Sequence, residues 1–247
     1  MKRPVVIGVV VVGVLVLAGV GGAYAYYFSG LRTAPRPLAL NTAPPAASAT
    51  PSSATSADAA PAGLAGTWNV ATGSQAGYRV KEVFAGQQSQ HEAVSRTTSL
   101  SGTVTVQQAA AGLQLSGIQI TAQLTGLQSQ DQVAGFNVAQ RDRIVSQALS
   151  VAQYPDATFR AGSVDLPASV ASGQAATVTI PGQLTIHGVT RPAQITAQLQ
   201  TSGSRVQVAG STAFAMTDFG VQPPRVPITT VDPQVTLEFQ LVLDKAG

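Results

Sequence analysis

The sequence predicts an all-β domain over residues 65–247, built as an antiparallel sandwich or closed barrel of about eight strands. The first observation is that short segments alternate apolar and polar side chains with a period of two, as half-buried strands do. The second is that these segments follow one another closely, which favours antiparallel pairing with one apolar face. The opposite face is rich in Thr and Gln, so we expect the apolar face to line the interior.

An apolar run precedes this domain and ends at Phe28. Residues 5–28 contain no charged side chain, and a helix of this length extends about 36 Å, which is enough to cross a bilayer. Residues 1–4 carry Lys2 and Arg3, and tyrosines cluster at the far end of the run, where amphipathic rings favour the headgroup level. We therefore predict one transmembrane helix acting as a signal anchor, with a cytoplasmic stub at 1–4 and an extracytoplasmic domain.

Two further questions about the apolar run stay open. Ala23-Tyr24-Ala25 fits the small-x-small rule for signal-peptide cleavage, in which case the domain would be secreted. The run is longer than the usual apolar core of a signal peptide, which favours a retained anchor. Small residues spaced four apart, such as Ala18 and Gly22, could form the contact face of a homodimer or could simply fill the span.

Residues 29–64 are dominated by Ala, Pro, Ser and Thr. Such a composition cannot build a core, so we predict a disordered linker. The formal net charge of +3 arises entirely from residues 1–64, because basic and acidic residues are equal in number over 65–247. No basic stripe supports nucleic-acid binding. The absence of cysteine excludes disulfides and thiolate metal sites.

Alternation is clearest at 78–80, 100–106, 118–124, 178–186, 193–199, 206–216 and 235–243. Between Asp131 and Val151 the apolar side chains instead approach helical spacing, so we predict one or two short helices broken near Gly135. Tyr154-Pro155 ends this insert, because a residue before proline disfavours the α conformation. The insert is expected to close one end of the barrel. An eight-stranded barrel is either filled by side chains or holds one small ligand.

The sequence offers little support for catalysis. His91 and His187 are the only histidines, and neither stands at metal-ligand spacing from carboxylates. We therefore predict no metal site and expect His187 to face solvent. No Gly-x-Ser-x-Gly elbow, dinucleotide fingerprint or phosphate loop occurs. The prediction is a protein that is not an enzyme and carries no cofactor.

Four segments and a closing strand, in this order, resemble one protein family. They are Trp68-Asn69-Val70, Arg141-Asp142 followed by Tyr154-Pro155-Asp156-Ala157-Thr158-Phe159, the hairpin from Gly182 to Pro192, Thr217-Asp218-Phe219-Gly220, and the strand from Val235 to Leu243. This set resembles the YceI-like family. Two positions depart from the family pattern: Ala71 stands where an aspartate is common, and Met216 where a basic residue is common.

The resemblance implies an exported, lipocalin-like barrel that binds a polyisoprenoid lipid, of the polyprenol or quinone type, in an apolar tunnel for carriage or storage. The side chains expected to contact such a ligand are Tyr78, Val80, Phe84, Phe136, Ile144, Phe159, Leu184, Ile186, Phe214 and Phe219. Arg141 has two interpretations. It braces the helical insert through an ion pair, or it lies at the tunnel mouth and contacts a polar head group.

Two other functions stay open at this point. One is an envelope scaffold or stress-related interaction module whose barrel is filled and whose outer surface binds a partner. The other is a hydrolase or isomerase acting on a lipid, which would need paired titratable residues facing the cavity. A cavity in the structure would favour lipid binding over the scaffold.

Overall fold

The computed structural model describes residues 32–40, 63–85, 90–133, 138–170, 174–202, 204–227 and 229–247. One α-helix and a series of strands occur in these ranges. Their bounds are β1 Arg32–Thr33, β2 Gly66–Val70, β3 Gln75–Phe84, β4 His91–Thr97, β5 Leu100–Ala109, β6 Gly112–Gln123, β7 Gln128–Ser129, β8 Gln132–Val133, α1 Val138–Ala148, β9 Asp156–Ala161, β10 Val164–Asp165, β11 Ala176–Ile186, β12 Val189–Ser202, β13 Arg205–Ala215, β14 Arg225–Val226 and β15 Thr229–Lys245.

Eight of these strands form a closed antiparallel barrel. Around the ring the order is β13, β12, β11, β9, β6, β5, β2 and β15, and β15 pairs with β13 to close it. Along the edge of β15, only the last residues pair with β2. The preceding part of the same edge pairs with β3. β4 and β7 extend the sheet beyond β3. The predicted eight-stranded antiparallel barrel with one short helix is confirmed.

The β11–β12 hairpin shows how the local sequence produces this architecture. Ile186 pairs with Val189 across the turn, where His187 has φ 52° and Gly188 φ 72°. Positive φ at both central residues is the feature of tight hairpin turns whose twist matches that of the strands. Inward-facing residues of β11, Leu184 among them, are buried. The alternation predicted for this segment is therefore confirmed.

The helical insert is shorter than predicted. Helix α1 begins at Val138 and ends at Ala148, whereas residues 132–133 form β8, which pairs with β1. Just before β8, the Asp131 carboxylate accepts a hydrogen bond from the backbone N–H of Val94 at 3.1 Å. This bond holds the chain beside β4 in place of a helical turn. The break predicted at Gly135 lies outside the described residues.

Residues 32–40, which we call the N-terminal strap, lie on the outer face of the barrel. The backbone N–H of Leu38 donates to the Glu238 carboxylate at 3.1 Å, and the Arg79 guanidinium donates to the carbonyl oxygen of Pro35. Glu238 points outward, because the residues on either side of it in β15 line the interior. The strap therefore crosses the outside of β15 and β3.

A buried charge cluster explains why the strap has a defined position. Glu238 is 2% exposed and accepts hydrogen bonds from Arg79 at 2.7 Å and from Arg96 at 2.8 Å. Arg96 also donates to the carbonyl oxygen of Arg36 at 2.7 Å. The strap carbonyls therefore accept hydrogen bonds from guanidinium N–H groups that burial separates from water. The disordered linker predicted over residues 29–64 is wrong for the strap, because composition does not reveal partners on distant strands.

Within the described ranges, no helix is long and apolar enough to cross a membrane. The span predicted at residues 5–28 lies outside those ranges.

Candidate functional site

The barrel encloses an apolar cavity of ≈ 270 Å³ at the end where α1 lies. A second cavity of ≈ 150 Å³ lies further along the interior. The two share four lining residues, Ala76, Ala122, Ala157 and Leu237, so they are neighbouring parts of one interior. Both linings are dominated by aliphatic and aromatic side chains, which suits an apolar guest.

Most of the side chains predicted to contact a ligand do line these cavities. Those around the larger one are Tyr78, Val80, Phe84, Ile144, Ile186, Phe214 and Phe219. Phe159 and Leu184 line the smaller one. Phe136 lies outside the described residues. Contact of any of these side chains with a lipid stays a prediction.

One side of the larger cavity is polar, and we call it the polar wall; it consists of Tyr78, Glu82 and Arg141. Nη1 of Arg141 donates to Oε1 of Glu82 at 2.8 Å. Nη2 of the same guanidinium donates to both carboxylate oxygens of Asp131 at 2.7 Å, and Nε donates to the Ser129 hydroxyl at 3.3 Å. These bonds tie α1 to the barrel, as the bracing interpretation of Arg141 requires.

Asp131 lies behind the polar wall and is 1% exposed. Burial disfavours its charged form, but hydrogen bonds from His91 and Arg141 outweigh burial and hold the pKa of Asp131 at about 2. Glu82 responds in the opposite direction, since burial raises the pKa of its carboxyl group although the Arg141 charge partly offsets that effect. The carboxylate of Asp131 is therefore the stable counter-charge of Arg141.

His91 is closer to carboxylates than the sequence predicted. Its Nε2 lies 2.7 Å from Oδ2 of Asp131, and ligand atoms of Glu82, His91 and Asp131 all lie within 4.8 Å of one another. Sequence spacing could not show this, because the β3–β4 register is what sets His91 opposite Glu82. Arg141 already neutralises charge in this cluster, and the prediction of no metal site stays a prediction.

His187 does not face solvent, contrary to the prediction. It is half-buried, with Nδ1 3.2 Å from the carbonyl oxygen of Phe219 and Nε2 3.2 Å from the hydroxyl of Ser150. Its ring also packs edge-on against Tyr154, with centroids 5.1 Å apart. The positive φ of His187 places it in the turn and not on the polar face of a strand. A Cβ on the neighbouring Gly188 would lie only 2.6 Å from the Tyr154 ring.

The segments that carry the family resemblance therefore meet in space. Arg191, on the far side of the hairpin turn, donates to the carbonyl oxygen of Asp218 at 2.8 Å. This contact joins the hairpin to the Thr217–Gly220 segment, and Tyr154 joins it to the chain that follows α1. Gly182, at the other end of the signature, packs against Phe159, where a Cβ would lie 2.4 Å from the ring. The signature is a packing unit around one end of the barrel.

These features define the class of the protein as an eight-stranded antiparallel barrel with an apolar interior and one charged wall beside a short helix. Residues 68–243 match the model of the YceI-like domain. The chain belongs to the YceI-like family.

Curated relatives named UPF0312 protein occur in Pseudomonas syringae pv. tomato and Pseudomonas putida. They are 33% and 32% identical over 110 residues, which cover 41% of this chain and 54% of each relative; the chain thus spans about half the length of these relatives. A solved domain from Saccharophagus degradans, described as a polyisoprenoid binding domain implicated in plant cell wall breakdown, superposes with a TM-score of 0.54 at 17% identity. That match covers 74% of this chain and 99% of the other, and it shows a shared fold.

Proposed function

We propose that this protein is a membrane-anchored, extracytoplasmic lipid-binding barrel that holds an isoprenoid-like chain, of the polyprenol or quinone type, for carriage or storage. The observation that carries the proposal is the apolar cavity, which continues along the barrel past Leu237 into a second apolar space. An extended hydrocarbon gains free energy by leaving water for such a lining, at about 25 cal/mol per Å² buried. The polyisoprenoid ligand ascribed to the Saccharophagus domain supports this choice.

The scaffold hypothesis requires a filled barrel, and the two cavities leave the interior unfilled. The enzyme hypothesis requires titratable groups free to react at the cavity. Arg141 and Glu82 are instead bonded to each other, and burial raises the pKa of the Tyr78 phenol, so that its hydroxyl stays protonated. These contacts support binding without covalent chemistry.

The position of the strap indicates which end of the barrel an anchor would hold near the membrane. Arg32 pairs with Val133, and Val133 lines the larger cavity. Arg32 follows the last residue of the apolar run, Phe28, by four positions. Because an extended chain covers at most about 3.6 Å per residue, the run must end within about 14 Å of this strand. An anchored run would therefore keep the α1 end of the barrel close to the bilayer.

The test of this function uses the full chain, produced in bacteria and purified from the membrane fraction in a mild detergent. Solvent extraction and mass spectrometry are expected to show an isoprenoid lipid in near-stoichiometric amount. Recovery of the protein in the membrane fraction after a high-salt wash tests the anchor separately. A protein that carries no stoichiometric lipid and binds no added polyprenol or quinone would refute lipid binding.

A matched pair of variants on α1 separates cavity binding from adsorption to the surface. Ile144 lines the larger cavity, whereas Ser146 on the same helix is exposed. Ile144→Trp should fill the cavity and reduce bound lipid, because the guest loses the space it occupies. Ser146→Trp should leave the amount of bound lipid unchanged.

A further inference from the structure

Tyr78 lines the larger cavity beside Glu82 and Arg141, whereas most of the remaining lining is apolar. It lies on β3 between Ala76 and Val80, which also line the cavity, and it is half-buried. Within the described chain its hydroxyl makes no hydrogen bond, although buried hydroxyls nearly always have a partner. A ligand atom in the cavity is the partner that this position could accept.

The polar wall has no free positive charge to offer a ligand. Arg141 is the only basic residue among the described residues that line the larger cavity. Its three guanidinium nitrogens already donate to Glu82, Asp131 and Ser129. The segments 86–89, 134–137 and 228 contain no lysine or arginine. An anionic head group that entered the cavity would therefore lose its hydration without finding an unpaired cation. It would also approach the carboxylates of Glu82 and Asp131.

Glu82 supplies the second polar atom. Its Oε1 accepts from Arg141, and no hydrogen bond reaches its Oε2 within the described chain. Such an oxygen accepts a hydrogen bond from an alcohol when ionised and donates one to a carbonyl when protonated. Together with the Tyr78 hydroxyl, it suits an uncharged head group that carries oxygen.

We infer that the cavity selects lipids with an uncharged oxygen head group, a hydroxyl or a carbonyl, which accepts a hydrogen bond from the Tyr78 hydroxyl beside Glu82, and that it rejects chains ending in a diphosphate. This inference rests on the proposed function and names the lipid class that the site takes. The polyprenol and quinone sources share this head-group chemistry, and the experiment distinguishes them.

The test measures dissociation constants of the purified full chain for four ligands with matched isoprenoid chains: an alcohol, a quinone, a diphosphate, and a hydrocarbon without a head group. We expect at least one of the two neutral oxygen lipids to bind about tenfold or more tightly than the hydrocarbon, as one good hydrogen bond allows. The diphosphate is expected to bind more weakly than the hydrocarbon. Whichever of the alcohol and the quinone binds more tightly identifies the source.

Tyr78→Phe removes only the hydroxyl, so the barrel and cavity should persist, as an unchanged thermal unfolding midpoint would verify. The variant should bind the preferred oxygen lipid about tenfold more weakly and the hydrocarbon as tightly as the parent. Tyr154→Phe is the matched control: it removes the hydroxyl of a ring that packs on His187 and does not line either cavity, so both affinities should stay unchanged.

Equal affinity for the diphosphate and the neutral lipids would overturn the inference, and so would a Tyr78→Phe variant that binds all four ligands like the parent. In both cases isoprenoid lipids still bind, and the proposed lipid-binding function stands. Failure of all four ligands to bind would instead refute the proposed function.

Discussion

At the scale of single residues, Asp131 is expected to contribute strongly to stability. Its carboxylate is the shared acceptor of Arg141, His91 and the Val94 amide, and it is 1% exposed. Asp131→Asn removes the counter-charge of a largely buried guanidinium. Breaking a buried ion pair by removing one partner costs about 3 kcal/mol. We expect the variant to lose about that much free energy of unfolding at pH 7, as measured by urea denaturation.

The same residue predicts a dependence on pH. The pKa of Asp131 is lowered in the folded protein from 3.8 to about 2. A lowered carboxyl pKa contributes stability above the unfolded value, and this contribution is lost as the pH falls through the folded value. The stability difference between parent and Asp131→Asn should therefore be constant from neutral pH to about 4 and shrink by about 2 kcal/mol below it.

The control for this prediction is Asp244→Asn, because the Arg205–Asp244 pair is largely exposed, at 56% and 45%. Exposed pairs contribute about 0 to 1 kcal/mol, so this variant should unfold almost like the parent at every pH. A stability difference for Asp131→Asn that did not change between pH 4 and pH 2 would show that the carboxylate charge is not what stabilises the cluster.

At the scale of elements, the N-terminal strap depends on Glu238. This carboxylate holds Arg79 and Arg96 and accepts from the backbone of Leu38. Glu238→Gln removes the carboxylate charge that pairs with Arg79 and Arg96. Both guanidinium groups should then be held less firmly, and their hydrogen bonds to the strap carbonyls should weaken. We expect amide hydrogen exchange at residues 34–40 to accelerate by at least tenfold while exchange in β11 stays slow. Hydrogen exchange with mass spectrometry on the full chain measures both segments.

Glu92→Gln is the matched control, since Glu92 also pairs with Arg79 but is 42% exposed. Solvent screens that charge, so strap exchange should change by less than about twofold. If Glu238→Gln left the exchange of residues 34–40 unaltered, the buried charge cluster would not be what holds the strap.

The sequence could predict the features that depend on neighbouring residues, but not those that depend on contacts between distant strands. Strands such as β11 and β12 could be predicted from alternation, because that signal depends on neighbours in the chain. The strap could not be predicted, because its partners Arg79 and Glu238 lie on strands distant in sequence. His91 was missed as part of the polar cluster for the same reason: the register of β3 with β4 brings it to Glu82, and register is not visible in either strand alone.

At the scale of the whole molecule, the two cavities form one interior, and small residues line the place where they join. The two cavities meet where Ala122 of β6 and Ala157 of β9 lie side by side as paired residues of the sheet and line both spaces. Small side chains at this position leave room for a chain to pass, whereas larger ones would split the interior. If the interior binds a lipid as proposed, the length that it can bury is expected to depend on this point.

Ala122→Phe tests this division. The ring should fill the passage and confine a guest to the larger cavity, at an overpacking cost of about 1 to 3 kcal/mol in stability. Affinity of the parent should keep rising along a series of isoprenoid lipids of increasing length, because each buried methylene contributes about 0.8 kcal/mol. Affinity of Ala122→Phe should reach its plateau at a shorter length, as measured by competition binding. Ala152→Phe, at an exposed turn position, should follow the parent. A plateau at the same length in parent and Ala122→Phe would mean that the guest occupies the larger cavity alone.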